Sequence, residues 1–168
     1  MKDKEEYKKF LISDNFRHWK IYLHENQYFL GRCYVWAKRE DFIDFFDLTM
    51  EEIEEFILIT KKLKEALSKS FKPDLFNYAI FSNVAKHLHA HVIPRYKHPR
   101  NFYGFNFVDE NFGKDLIPRP ISKHEEFSIK FTDENFGRNY APYNKDFKVP
   151  KEVLMKIRNA IKERLEIQ

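Results

Sequence analysis

The sequence predicts an α+β fold: an antiparallel sheet, one helix packed on it, and a helical C-terminal extension. Three observations carry that expectation. Short segments alternate apolar and polar residues with the period of a half-buried strand. One long capped run between them repeats with a helical period. The C-terminal stretch PKEVLMKIRNAIKERLEIQ is amphipathic on the same period.

The elements follow in order. Residues 19–26, WKIYLHEN, set Trp19, Ile21 and Leu23 against Lys20, Tyr22 and His24, as in a half-buried strand. NQYFLG (26–31) reads as a turn region and CYVWA (33–37) as the returning strand of a hairpin with a longish loop. Thr49-Met50-Glu51-Glu52 fits a capping box, with Leu48 and Ile53 placed for a hydrophobic staple. The helix it opens carries the stripe Ile53, Phe56, Ile57, Leu63, Ala66 and Leu67, runs to about Ser70 and stops before Pro73. LFNYAIF (75–81) is a strand, and HLHAHVIPR (87–95) another. Their short link, SNVAK, favours antiparallel pairing.

After His98 the pattern weakens. VDENFGKDLIP (108–118) resembles TDENFGRNYAP (132–142), which reads as a duplicated turn unit whose Gly permits positive φ, two similar surface turns. Pro150 stands near the start of the last helix, and Val153, Ile157, Ile161 and Leu165 recur every four residues. That helix is expected to pack on the body or on a partner subunit. The expected organisation is a core over 1–98 and an extension over 99–168 packed on the same domain.

Composition bounds the function. A chain of 168 residues suits one domain with a sizeable core. No apolar run approaches a membrane span, and MKDKEEYKKF is mixed-charge rather than a secretory signal. Cys33 is the single cysteine, which excludes an internal disulfide and favours a reducing, cytoplasmic setting. The net charge of +4 is too evenly spread to expect nucleic acid. Leu75 to Val108, however, contains no Asp or Glu, while Lys86, Arg95, Lys97 and Arg100 lie within it. Such a window suits an anionic partner such as phosphate. With only four glycines and neither GxGxxG nor GxxxxGK[ST], no glycine-rich loop cradles that phosphate.

The chemistry concentrates in HLHAHVIPR. In a strand, residues at i, i+2 and i+4 share a face. His87, His89 and His91 therefore project one way, and Leu88, Ala90 and Val92 the other, towards a core. Two chemistries suit such a row. Three imidazoles can hold a catalytic zinc. Alternatively, a neutral imidazole can attack an α-phosphate to give a phosphoramidate, while its neighbours bind phosphate oxygens or protonate the leaving group. Metal-bound histidines usually have carboxylates near them. This window instead holds Asn77, Asn83 and Lys86, which favours the anionic substrate over the metal.

His87-Leu88-His89-Ala90-His91-Val92-Ile93 resembles the signature of the histidine triad (HIT) family, His-φ-His-φ-His-φ-φ, and the following Pro94-Arg95 resembles its dinucleoside polyphosphate hydrolase branch. The likeness covers roughly residues 15 to 98, including the Trp19 strand, the capped helix, and Asn77 and Asn83 before the triad. Residues 99–168 resemble the tails of some members only loosely. The resemblance implies a nucleotide hydrolase or nucleotidyl transferase, with His89 as nucleophile and His87 and His91 holding phosphate and assisting the leaving group. It implies that Asn83 contacts phosphate and makes Asn26 and Gln27 candidates for sugar or base. Asn77 has two readings, a substrate amide or a core hydrogen-bonding residue. The resemblance also implies a homodimer. No metal is required for the covalent step, although Mg²⁺ can accompany a polyphosphate substrate. The chain departs from the pattern at Arg32, where many members carry a fourth histidine after the glycine, and in the shorter SNVAK loop. Arg32 becomes a candidate phosphate ligand. The rival functions are a metal-dependent hydrolase on the three histidines and a non-catalytic nucleotide-binding module.

Overall fold

The computed structural model describes residues 10–40, 44–81, 87–110, 112–113 and 148–166. Five strands form one sheet: β1 (Leu11–Ser13), β2 (Trp19–Leu23), β3 (Cys33–Ala37), β4 (Leu75–Ile80) and β5 (His89–Arg95). Their order across the sheet is β1-β2-β3-β5-β4, and every neighbouring pair is antiparallel. Helix α1 spans Met50–Phe71 and helix α2 Lys151–Glu166. Among the described residues no helix is long and apolar enough to cross a membrane.

The alternation in the strands decides which face is buried. Trp19, Ile21 and Leu23 of β2, Cys33, Val35 and Ala37 of β3, and Leu88, Ala90 and Val92 around β5 all enter one core. They meet Ile59, Leu63, Ala66, Leu67 and Phe71 of α1. Each such large side chain contributes roughly 1.5–3 kcal/mol on removal from water. The stripe on α1 differs from the expected one at one point: Ile57 is 47% exposed and Ile59 fully buried. Two residues are about 200° apart on a helix, so only one of the pair can face the sheet.

The ends of α1 are chemically specified. The Thr49 hydroxyl accepts from the Glu52 amide (3.3 Å), and the Thr49 amide donates to the Glu52 carboxylate (2.8 Å). The helix closes at Lys72, which takes the left-handed conformation (φ 50°) and donates its amide to Ser68 O, just before Pro73.

Helix α2 joins the same core through Val153, Leu154, Ile157 and Ile161. Arg158 Nε donates to Leu11 O (2.6 Å), and Ser70 Oγ donates to Ala160 O (3.3 Å), tying α2 to β1 and α1. Two short strands, β6 (Arg100–Phe102) and β7 (Phe105–Phe107), form a separate hairpin where the sequence pattern was weak. Its turn places Tyr103 (φ 50°) and Gly104 (φ 76°) in left-handed conformations, the geometry that matches the strand twist in a two-residue turn.

Candidate active site

The triad row lies on the sheet face away from α1. Register brings β3 beside it: Trp36 pairs with His89 and Tyr34 with His91. Trp36 stacks on His87 (ring centroids 4.7 Å apart, planes 16°) and on His89 (4.9 Å, 21°). Tyr34 stands edge-on to His91 at 4.7 Å, and His24 packs 4.5 Å from Tyr34 and 6.0 Å from His91. The expected open face is therefore partly roofed, leaving His89 and His91 only 7% and 9% exposed.

Hydrogen bonding assigns each ring its proton. His89 Nδ1 lies 2.8 Å from the His87 carbonyl oxygen. A carbonyl only accepts, so Nδ1 carries the proton and the lone pair lies on Nε2. His87 Nε2 likewise donates to Ala37 O at 2.8 Å. His91 is the reverse. Its Nδ1 lies 3.3 Å from Arg32 Nη2, which only donates, so Nδ1 accepts and Nε2 carries the hydrogen. Burial holds the His89 pKa below the usual histidine value, partly offset by the bond to His87 O. Burial, then the Arg32 charge and His89, push His91 down to about 3. Both rings are thus neutral at pH 7.

Arg32 is placed by the loop between β2 and β3. Gly31 has φ +82°, and a Cβ there would lie 2.9 Å from Phe71 Cδ2, so both conformation and contact with α1 require glycine. The Arg32 amide donates to Phe29 O (3.0 Å), and its carbonyl accepts from the His24 amide (2.9 Å) and Gln27 Nε2 (2.8 Å).

The other expected site residues divide. Gln27 is fully buried, donates also to His24 O and accepts from the Gly31 amide, so it organises the loop. Asn26 Oδ1 accepts from the Tyr28 amide (2.8 Å) in the same loop. Asn77 Oδ1 accepts from Arg95 Nη1 at 2.7 Å, the core hydrogen-bonding reading. Asn83 and Lys86 lie outside the described residues.

The two arginines of the cationic window are both paired with carboxylates. Arg95 is 3% exposed and bound bidentately by Asp109, Nε to Oδ2 at 2.7 Å and Nη2 to Oδ1 at 3.1 Å. Arg100 pairs with Asp74 at 3.2 Å. Both carboxylates sit one residue outside the acid-free window, and the fold turns them back onto its arginines. Asp109 opens the first DENFG copy, which is a turn as expected: the Phe112 amide donates to Asp109 O (3.2 Å) and Gly113 takes φ 75°, with the Asp109 side chain as a buried anchor. The second copy lies outside the described residues.

His24, Tyr34 and Trp36 were not singled out from sequence. The signal was present for two of them: in CYVWA, Tyr34 and Trp36 alternate with three core residues and must share the opposite face. His24 continues the β2 row of Lys20 and Tyr22, and only the registers of β3 with β2 and with β5 bring it near His91. Among the described residues no three His, Cys, Asp or Glu side chains are arranged to hold a metal ion.

A five-stranded antiparallel sheet backed by a capped helix, with alternate histidines on its other face, is the arrangement of the histidine-triad fold. Residues 21–98, somewhat under half of the chain, match the family model of the HIT domain. The fold is similar to that of a histidine triad protein from Bradyrhizobium japonicum (TM-score 0.60, 15% identity, covering 97% of this chain and 96% of that one). It is also similar to a histidine triad protein from Sinorhizobium meliloti (0.59, 16%, 96% and 95%). A hypothetical histidine triad nucleotide-binding protein from Sulfolobus tokodaii is comparable (0.58, 16%, 94% and 84%). At these identities the likeness is one of fold. No curated protein matches the chain.

Proposed function

We propose that the protein is a nucleotide hydrolase or nucleotidyl transferase acting through a covalent nucleotidyl-His89 intermediate, with a dinucleoside polyphosphate or nucleoside phosphoramidate as substrate. One observation carries the reading: His89 is a buried neutral imidazole whose Nδ1–H is committed to the His87 carbonyl, leaving the Nε2 lone pair for attack.

In the first step Nε2 bonds to the α-phosphorus, and the bond from phosphorus to the leaving group breaks with its electron pair, a polyphosphate oxygen leaving as the anion and an amine nitrogen taking a proton from water. The His87 carbonyl stabilises the positive charge that develops on the ring at Nδ1–H. His91 Nε2–H donates to a phosphoryl oxygen, and Arg32 adds positive charge beside it. In the second step water attacks phosphorus, the P–N bond returns its electrons to Nε2, and the water proton leaves with the products. His87 and Asn83 take the flanking and phosphate-contacting roles that the family resemblance implies. The covalent step requires no metal.

The homodimer belongs to the same reading. β4 is one of the two sheet edges among the described strands, β1 being the other, and it exposes Leu75, Tyr78 and Ile80. An apolar unpaired edge is a template for a second chain. The lone Cys33, buried, agrees with a cytoplasmic setting.

The test is nucleoside monophosphate release from a diadenosine polyphosphate, with and without EDTA, for wild type and His89→Ala, with mass spectrometry of acid-quenched enzyme for the adduct. The proposal expects EDTA-resistant release, an adduct on His89, and a loss of at least about 10³-fold in His89→Ala. Binding without turnover on either substrate class would overturn it in favour of a nucleotide-binding module. Activity lost to EDTA, with stoichiometric metal on the protein, would favour the metal-dependent hydrolase.

A further inference from the structure

We propose that Arg32 is a positioning residue that locks His91 as a neutral Nε2–H donor, so that His91 binds a phosphoryl oxygen but never serves as an imidazolium acid. The inference deepens the reading above and depends on it for the identity of the bound oxygen. The lock itself is a property of the free protein.

The geometry is built in. Arg32 Nη2 lies 3.3 Å from His91 Nδ1. A guanidinium has no acceptor and does not lose its proton, so the bond exists in one direction only. It therefore selects one tautomer of His91 and sets any second proton on Nδ1 directly against a fixed charge. The Arg32 backbone is held at both its amide and its carbonyl, through Phe29 O, Gln27 Nε2 and the His24 amide. Gly31 admits the close approach to α1 that places this loop. Gln27 thus serves the site indirectly, through Arg32.

Among the described residues, the titratable groups that face His91 are Arg32 before β3, His24 at the end of β2, Tyr34 on β3 and His89 on β5. Arg32 is the one with a permanent positive charge. Burial and that charge act in the same direction on His91. A histidine at position 32 could itself titrate and exchange donor and acceptor roles with His91. An arginine cannot, and the protonation state of this half of the site becomes insensitive to pH.

The experiment is two-bond ¹H–¹⁵N correlation of the histidine rings, followed by pH titration, on wild type, Arg32→Met and Arg32→His. Wild type should show His91 as the Nε2–H tautomer with no titration from about pH 8 to about pH 5. Arg32→Met should lose the single tautomer and titrate about one to three pH units higher than wild type. Arg32→His removes the fixed charge and lets the two rings exchange donor and acceptor roles; it should lose the single tautomer and still titrate higher. Wild-type His91 protonating near pH 6 to 7, or showing the Nδ1–H tautomer, overturns the lock without any variant. An unchanged titration in both variants overturns the role of Arg32. The acid limb of kcat should move to higher pH in both variants. Because the spectra need no turnover, failure of the lock and failure of the proposed activity are separately visible.

Discussion

Along one face of β5 the row His87, His89, His91, Ile93, Arg95 changes character halfway. The first half lies against Trp36, Tyr34 and His24 and keeps its ring nitrogens on carbonyls and one guanidinium. The second half is sealed. Ile93 clusters with Tyr28 and Phe29 of the β2–β3 loop, and Arg95 lies over the Phe29 ring at 4.9 Å while Asp109 and Asn77 take its donors. Two arginines serve the two halves differently. Arg95 is paired with a carboxylate and belongs to the core, whereas Arg32 is set beside the imidazole of His91. The difference teaches that a shared face is only an opportunity. Which part of it becomes a site depends on what the neighbouring loops bring over it.

The strongest break of this contrast is at Arg95. Replacing it by Met leaves Asp109 buried without its cation, which should cost about 3–5 kcal/mol in urea denaturation. Asp109→Leu combined with Arg95→Met should recover much of that. A single-variant cost below about 1 kcal/mol would show that the pair is not the anchor described here.

The histidine half responds to acid instead. With a folded value of about 3 against 6.5 for an ordinary histidine, the unfolded state binds the proton that folded His91 refuses. Stability should therefore fall as pH drops from about 6.5 towards about 3, by on the order of a few kcal/mol, and level off below. Thermal melts of wild type and His91→Asn across that range check it: the variant's slope should be shallower, and equal slopes would refute the assignment.

Gly31→Ala sharpens the role of the loop. Positive φ and the contact with Phe71 should cost about 1–3 kcal/mol and weaken the Arg32–His91 bond together. Full stability with an unshifted His91 ring signal would count against it. The smallest effect belongs to Thr49→Ala, which removes the helix cap remote from the row and should cost about 1 kcal/mol with no change at His91.

Much of the fold was legible because its signals are local. The capping box, the hairpin strands and the alternation of Leu88, Ala90 and Val92 against three histidines each lie within a few residues, and each stands where expected. Ile57 was misjudged because a helix dense in apolar residues offers more than one stripe, and only packing on the sheet selects among them. The acid-free window left out part of its own charge balance for a related reason: a charge map along the chain does not see Asp74 and Asp109 fold back onto Arg100 and Arg95.

By itself, the sequence determined the strand period, the capped helix, and the face that carries His87, His89 and His91, because these follow from side-chain geometry over neighbouring residues. Tertiary structure alone decided that Arg95 is core and that Arg32 lies against His91, that His24, Tyr34 and Trp36 pack beside the triad, and which nitrogen of each ring holds its proton. Those outcomes depend on sheet register and on contacts between residues far apart in the chain, such as Arg32 with His91, and the pattern along the chain does not encode which distant group arrives.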